Sequence, residues 1–274
     1  MRYVLPLLLC LAVLTLVACG TVKKTAQLLT PETSSLEQIA PGLNVEPQMT
    51  KQQRKTLTGN IGIARQRIHL YFGSVAVEPT ITACATEKCF QDNGGVAGRA
   101  KAYGATKVLL SPRDLTAPAI AHEWSHAELH TRVGGARAAK EIPRWFDEGL
   151  AAMISNDPDH SEEAWQAIKE ARIATPALKE MENAEKWQAA VKKYGNSTTN
   201  KEQYKVLYAT AAHEVRRWYR KAGKMGLTQL IESVRQGKSF IRAYQEAQGK
   251  VSPARSSAAK ISALATGQGA TANQ

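Results

Sequence analysis

Two histidines and a glutamate stand together at His122-Glu123-Trp124-Ser125-His126, and a second glutamate follows in Trp145-Phe146-Asp147-Glu148-Gly149-Leu150-Ala151. Residues four apart on a helix lie one turn apart on one face, so the imidazoles of His122 and His126 can converge on one metal ion. This is the H-E-x-x-H spacing, in which two histidines hold zinc and a glutamate, here Glu123, takes a proton from water. A third protein ligand has to come from elsewhere in the chain. Three ligands leave the ion an open position, which separates a catalytic site from a closed structural one.

Such a site needs two helices and something to aim them. Lys107-Val108-Leu109-Leu110 reads as a strand ended by Ser111-Pro112. A helix follows, with Thr116 as cap, Pro118 in the first turn, and Ile120, Trp124 and Ala127 as the buried stripe, so that the histidines face a cleft. A strand leading into the metal helix is the order a zinc peptidase needs, because an exposed strand edge can hold an extended peptide beside the ion. Ile142-Pro143 opens a second helix that runs to about Ser155, with Leu150, Met153 and Ile154 on its apolar face. Glu148 stands among Trp145, Ala151 and Ala152, where a carboxylate needs a partner that zinc would provide.

Other candidate ligands are weaker. Four residues of helix rise about 6 Å, so His122 and His130 stand about 12 Å apart along the axis, while zinc needs each nitrogen near ~2.1 Å. His130 reads as a surface histidine or as a group orienting something at the cleft. Asp147 reads as a support for the ligands or a surface residue. His69, His160 and His213 lack partners at ligand spacing and read as structural.

With both motifs in view, the chain resembles the gluzincin zinc metallopeptidases, and within them the peptidase MA-like group, whose second helix carries a Trp-x-x-Glu-Gly-x-Ala pattern. The resemblance implies that Glu148 is the third zinc ligand. It extends over about Ile61 to Gly249, through Tyr208-Ala209, Val215, Trp218-Tyr219, Leu230, Gly237, Phe240 and Ala243. It also places Tyr208 where a tyrosine steadies the oxyanion, with Tyr204 as competitor and a core tyrosine as the plain alternative. The aminopeptidase branch carries Gly-x-Met-Glu-Asn before the metal helix. Here Met181-Glu182-Asn183 comes after it and without the glycine, so exopeptidase specificity is unsupported.

The expected fold is α+β and mainly α: a small sheet, then a zincin-type active-site helix, then a helical C-terminal part. Leu57, Ile61, Ala64, Ile68 and Tyr71 recur at helical spacing with Gly73 as stop. Val75–Val77 and Ile81–Ala83 read as short strand material around Pro79, and Asp92-Asn93-Gly94-Gly95 as a turn. Tyr208, Ala211, Val215 and Trp218 keep one helical stripe, and Gly226 and Gly237 are expected to separate two further short helices.

The first eighteen residues hold one charge, Arg2, and an apolar run from Val4 to Leu16, as a signal peptide does. Leu16-Val17-Ala18-Cys19 resembles the lipobox of bacterial lipoproteins, in which the signal is cut before the cysteine and that residue, here Cys19, is lipidated. The alternative is an ordinary signal with a chance cysteine. Gly20 stands where an aspartate would resemble the inner-membrane retention signal, so the expected place is the bacterial cell envelope, lipid-anchored and periplasm-facing, at the outer rather than the inner membrane. The domain expectations are 1–18 signal peptide, 19–49 lipid-anchored tether punctuated by Pro31, Pro41 and Pro47, 50–249 metallopeptidase domain, and 250–274 disordered tail.

Losing Arg2 with the signal takes the formal net charge from +12 to +11. In an envelope protein that charge favours anionic lipid headgroups or acidic polymers and not nucleic acid, or it serves only solubility. Once Cys10 leaves and Cys19 takes lipid, Cys84 and Cys89 remain, with four residues between them. They read as a disulfide closing a short loop in an oxidising compartment, or as a buried free pair.

These readings make the chain a membrane-anchored zinc metallopeptidase acting on peptide or protein substrates. The competing expectation is a non-catalytic, zinc-containing envelope lipoprotein that serves as a binding or assembly module. The intact Glu123 speaks against the latter, since a structural site needs no base.

Overall fold

Lys107–Leu110 is a strand in which Val108, Leu109 and Leu110 are buried, as its apolar run requires, and it is one of five strands in a single sheet. The computed structural model describes residues 36–96, 98–135, 139–195 and 204–249. The expected signal peptide, Cys19, the first part of the tether and the tail lie outside the described residues. The fold is mixed α+β and mainly α. Contacts divide the chain into two compact units, Met1–Thr131 with Ile154–Pro158, and Arg132–Met153 with Asp159–Gln274.

The first unit is built on the sheet. Its strands are β1 (Glu37–Ala40), β2 (Leu43–Val45), β3 (Thr80–Ala83), β4 (Ala100–Tyr103) and β5 (Lys107–Leu110). β2, β3 and β5 run parallel, while β1 and β4 flank them antiparallel. Parallel strands have both faces covered and read as continuous apolar runs, which β5 does.

Two expectations are corrected here. The stretch before residue 50 is not all tether: Pro41-Gly42 turns a hairpin between β1 and β2, with Gly42 at φ 72°, and Leu43, Val45 and Met49 are buried. Proline followed by a positive-φ glycine suits a tight turn as well as a linker, and burial of the flanking residues decides for the turn. Of the two segments around Pro79, only the second is a strand. Val75–Val77 is irregular, and its amides serve a buried carboxylate instead of a ladder.

Helix α1 (Lys51–Phe72) opens with a capping box between Thr50 and Gln53 and closes on Gly73 in the left-handed conformation, at φ 83°. Leu57, Ala64, Ile68 and Phe72 form its buried stripe. After β3 comes α2 (Glu87–Asp92), capped by Thr86. Cys84 and Cys89 form a disulfide across this corner. The Glu46 carboxylate accepts from the amides of Ala85 and Thr86 and from the Thr86 hydroxyl, each at 2.7 Å, so the end of β2 is tied to the start of α2. Helix α3 (Ala117–Arg132) follows β5.

The second unit is helical. Helix α4 (Arg144–Ser155) begins after Pro143, and α5 (Glu162–Glu170), α6 (Ala184–Gly195), α7 (Tyr204–Arg235) and α8 (Phe240–Gly249) follow. Trp145, Phe146, Trp218, Phe240 and Tyr244 pack edge-to-face and stacked, with ring centroids 5.0–6.0 Å apart. Gly149 has a steric reason: a Cβ there would stand 2.4 Å from the Ala211 carbonyl oxygen, so α4 and α7 approach closely only because the residue is glycine. The expected break at Gly226 falls instead at Gly223, whose φ of 63° and ψ of −170° kink α7. Gly226 stays helical, and a Cβ there would meet Ala222 Cβ at 2.5 Å. Gly237, at φ 87°, follows the end of α7 as expected.

Candidate metal centre

Helix α3 is fixed at several points within its unit. Trp124 Nε1 donates to the Val77 carbonyl at 2.8 Å. One turn on, the fully buried Glu128 accepts from the amides of Ala76 at 2.7 Å and Val77 at 3.1 Å. A carboxylate with no exposure is stable only with such partners, and bonds to a charged acceptor contribute about 1.5–3 kcal/mol each. At the helix start, Asp114 accepts from the Thr116 amide and hydroxyl, and Asn60 on α1 donates to the Leu115 carbonyl at 2.9 Å. The Thr116 hydroxyl accepts from the Ala119 amide at 3.5 Å, the cap expected from sequence.

This clamped helix presents His122 half-buried and His126 buried, with their Nε2 atoms 3.3 Å apart and the rings nearly perpendicular. Two nitrogens on one tetrahedral ion, each bonded at about 2.0–2.1 Å, stand about 3.3–3.4 Å apart. The pair therefore has the separation of two ligands of one ion. Glu123 lies between them in sequence, and its Oε2 accepts from the Ala102 amide of β4 at 2.5 Å.

On α4, Glu148 is 2% exposed and Asp147 is 6% exposed. Arg144, one turn earlier, forms an ion pair with the Glu148 carboxylate and stands 3.5 Å from Asp147 Oδ2. The Arg144 amide donates to the Glu182 carbonyl at 2.7 Å.

Among the described residues, three groups of side chains could hold a metal ion. The first is His122, His126 and Glu148, the set expected from sequence, and its two nitrogens and carboxylate oxygen suit zinc. The second, His126, His130 and Asp147, shares His126, but its imidazole pair is wider, with ring centroids 6.1 Å apart against 5.0 Å for His122 and His126. The third, Glu46, Cys84 and Cys89, is a structural corner: its sulfurs are bonded to each other and its carboxylate is engaged by three donors.

The remaining sequence candidates are placed as follows. Tyr208 lies on α7, its ring stacked on His160 with centroids 5.1 Å apart and set edge-on to Trp187 at 5.2 Å. Tyr204 begins the same helix. His213 stacks on Trp165 and bonds Glu162, which gives it a structural role. Met181 is buried and Asn183 caps α6 by accepting from the Lys186 amide, so that tripeptide has local work to do.

Two residues of the site escaped the sequence reading. Ala102 acts through its backbone on a four-residue strand with no hydrophobic pattern, and nothing in its type marks it. Arg144 was legible in principle, since it stands four residues before Glu148 on a helix, the spacing of an ion pair. No protein-family model matches the chain, and neither a curated protein nor a solved structure does.

Proposed function

We propose that the protein is a zinc-dependent metallopeptidase of gluzincin type that hydrolyses peptide bonds, with His122, His126 and Glu148 holding the ion and Glu123 as general base. The observation that carries this is the 3.3 Å separation of the two Nε2 atoms on α3, and the buried carboxylate of Glu148 on α4 is the third donor proposed. Zinc, when bound, would polarise the substrate carbonyl and lower the pKa of a water towards ~7.

The chain's own residues do the rest. Glu123 accepts the proton of the attacking water and delivers it to the leaving amine, a role that requires one carboxylate to reach both. The Ala102 amide fixes its Oε2, so Glu123 meets the water through Oε1 in a set orientation. Tyr208, or Tyr204, donates a hydrogen bond to the oxyanion. The substrate is a peptide or protein. The lipobox-like segment ending in Cys19 adds a bacterial envelope setting with a lipid anchor, in which the basic surface meets anionic envelope polymers. No helix among the described residues is long and apolar enough to cross a membrane.

The test compares zinc-loaded wild type with Glu123→Gln on a pool of quenched fluorescent peptides. The variant should bind zinc equally and lose about 10²–10⁴-fold in rate, the usual worth of a general base. Full activity in the variant would refute the assignment.

A further inference from the structure

We propose that Arg144 is a positioning residue for the metal site, its guanidinium holding the Glu148 carboxylate in place as a ligand and Asp147 steadying the guanidinium. This rests on the metal-site reading above and adds a residue that the H-E-x-x-H and Trp-x-x-Glu-Gly patterns do not include.

The geometry is contained in the first two turns of α4. Arg144 bonds Glu148 at i+4 and stands 3.5 Å from Asp147 at i+3, so one guanidinium bridges two carboxylates that are 3% and 7% exposed at their side chains. Its backbone is held as well, by the bond from its amide to Glu182. Guanidinium is a planar fork of five donors, and it fixes the plane of a carboxylate as a point charge cannot. A carboxylate has about four acceptor sites, so one held by arginine keeps capacity for a cation. Glu148 is further confined because the next residue, Gly149, lies against the backbone of α7.

A cation beside a metal site also repels the metal. The Arg144 side chain is 39% exposed, so water screens that repulsion, whereas the buried carboxylate it orients is screened far less. Orientation therefore dominates. Partners of metal ligands typically change affinity by about 10–100-fold when removed.

The experiment measures zinc affinity of the full chain in detergent by competition with a chromogenic chelator, for wild type, Arg144→Ala, Arg144→Lys and Asp147→Asn. Thermal melting checks that each is folded, and the visible absorption of the cobalt-substituted proteins reports ligand geometry. Expected are a dissociation constant about 10–100-fold weaker for Arg144→Ala, an intermediate value for Arg144→Lys, a smaller loss for Asp147→Asn, and a weakened tetrahedral cobalt band in step with each. If Arg144→Ala does not fold, the lysine and asparagine variants carry the comparison. Unchanged or tighter zinc binding in the Arg144 variants would overturn the proposal while leaving the metal site intact. A wild type that binds no zinc would overturn the metal-site reading itself.

Discussion

The backbone amide of Ala102, on the edge strand of the sheet, donates to Oε2 of Glu123 at 2.5 Å. The strand flanking α3 thus holds the residue proposed as general base, and sheet and helix form one device. Ala102 pairs in register with Val108 on β5, yet its amide is given to the glutamate.

That bond gives the first prediction. Proline is tolerated on edge strands where its nitrogen faces away from the ladder, and it removes the donor without changing any side chain at the site. Ala102→Pro should keep zinc stoichiometry and lower kcat by about 10-fold, because a freed carboxylate spends less time in reach of the water. Steady-state kinetics beside metal analysis checks this. An unchanged kcat would mean that the amide does not orient Glu123.

Gly149 supplies the second. A methyl group there would stand 2.4 Å from the Ala211 carbonyl oxygen and 2.8 Å from Val215 Cγ2. Backbone on that side cannot give way as a flexible side chain would, so α4 must shift. Gly149→Ala should cost about 1–3 kcal/mol in urea unfolding, and by moving Glu148 it should weaken zinc binding about 10-fold. Wild-type stability with wild-type zinc affinity would contradict the close approach of α4 and α7.

The third concerns acid stability. Glu180 bonds the Lys193 ammonium, the Ala177 amide and the Tyr194 hydroxyl, and Lys193 chiefly lowers its pKa from 4.5 to about 2. A carboxylate depressed in the folded state contributes stability above its ordinary value and loses it as pH falls through the folded value. Glu180→Gln should therefore melt below wild type at pH 6, with the gap closing between pH 4.5 and about 2. The Glu180 side chain is about a third exposed and its Lys193 partner more so, so the gap is small and shrinks further in 1 M salt. A gap independent of pH and salt would contradict the ionic account.

What was legible in the sequence was local. The stripe Leu57, Ala64, Ile68 closed by Gly73 marked α1, and the metal motif and Ile142-Pro143 marked α3 and α4, because their periodicity and caps sit within the segment itself. The sheet was less visible. β1 and β2 are four and three residues long around Pro41-Gly42, and it is the pairing of β1 with β2, and of β2 with β3 some forty residues on, that makes them strands. β4 is an edge strand reading Ala-Lys-Ala-Tyr, too mixed to show alternation. Gly223 and Gly226 are equally plausible breaks on paper; the backbone turns at Gly223, while Gly226 stays helical where a Cβ would stand 2.5 Å from Ala222 Cβ and 3.3 Å from the Ala247 carbonyl oxygen. In the site, His122 and His126 could be named from their type and spacing, and Glu148 from the resemblance of Trp145–Ala151 to the Trp-x-x-Glu-Gly-x-Ala pattern. Ala102 acts through its backbone and could not.

The central claim is that His122, His126 and Glu148 hold one zinc ion. The most direct test is metal analysis of protein lacking residues Met1 to Cys19, for wild type and for Glu148→Ala, after reconstitution with zinc and removal of excess. The account predicts about one zinc per wild-type chain and a sharp loss in the variant. No zinc in the wild type, or equal zinc in both, would contradict it.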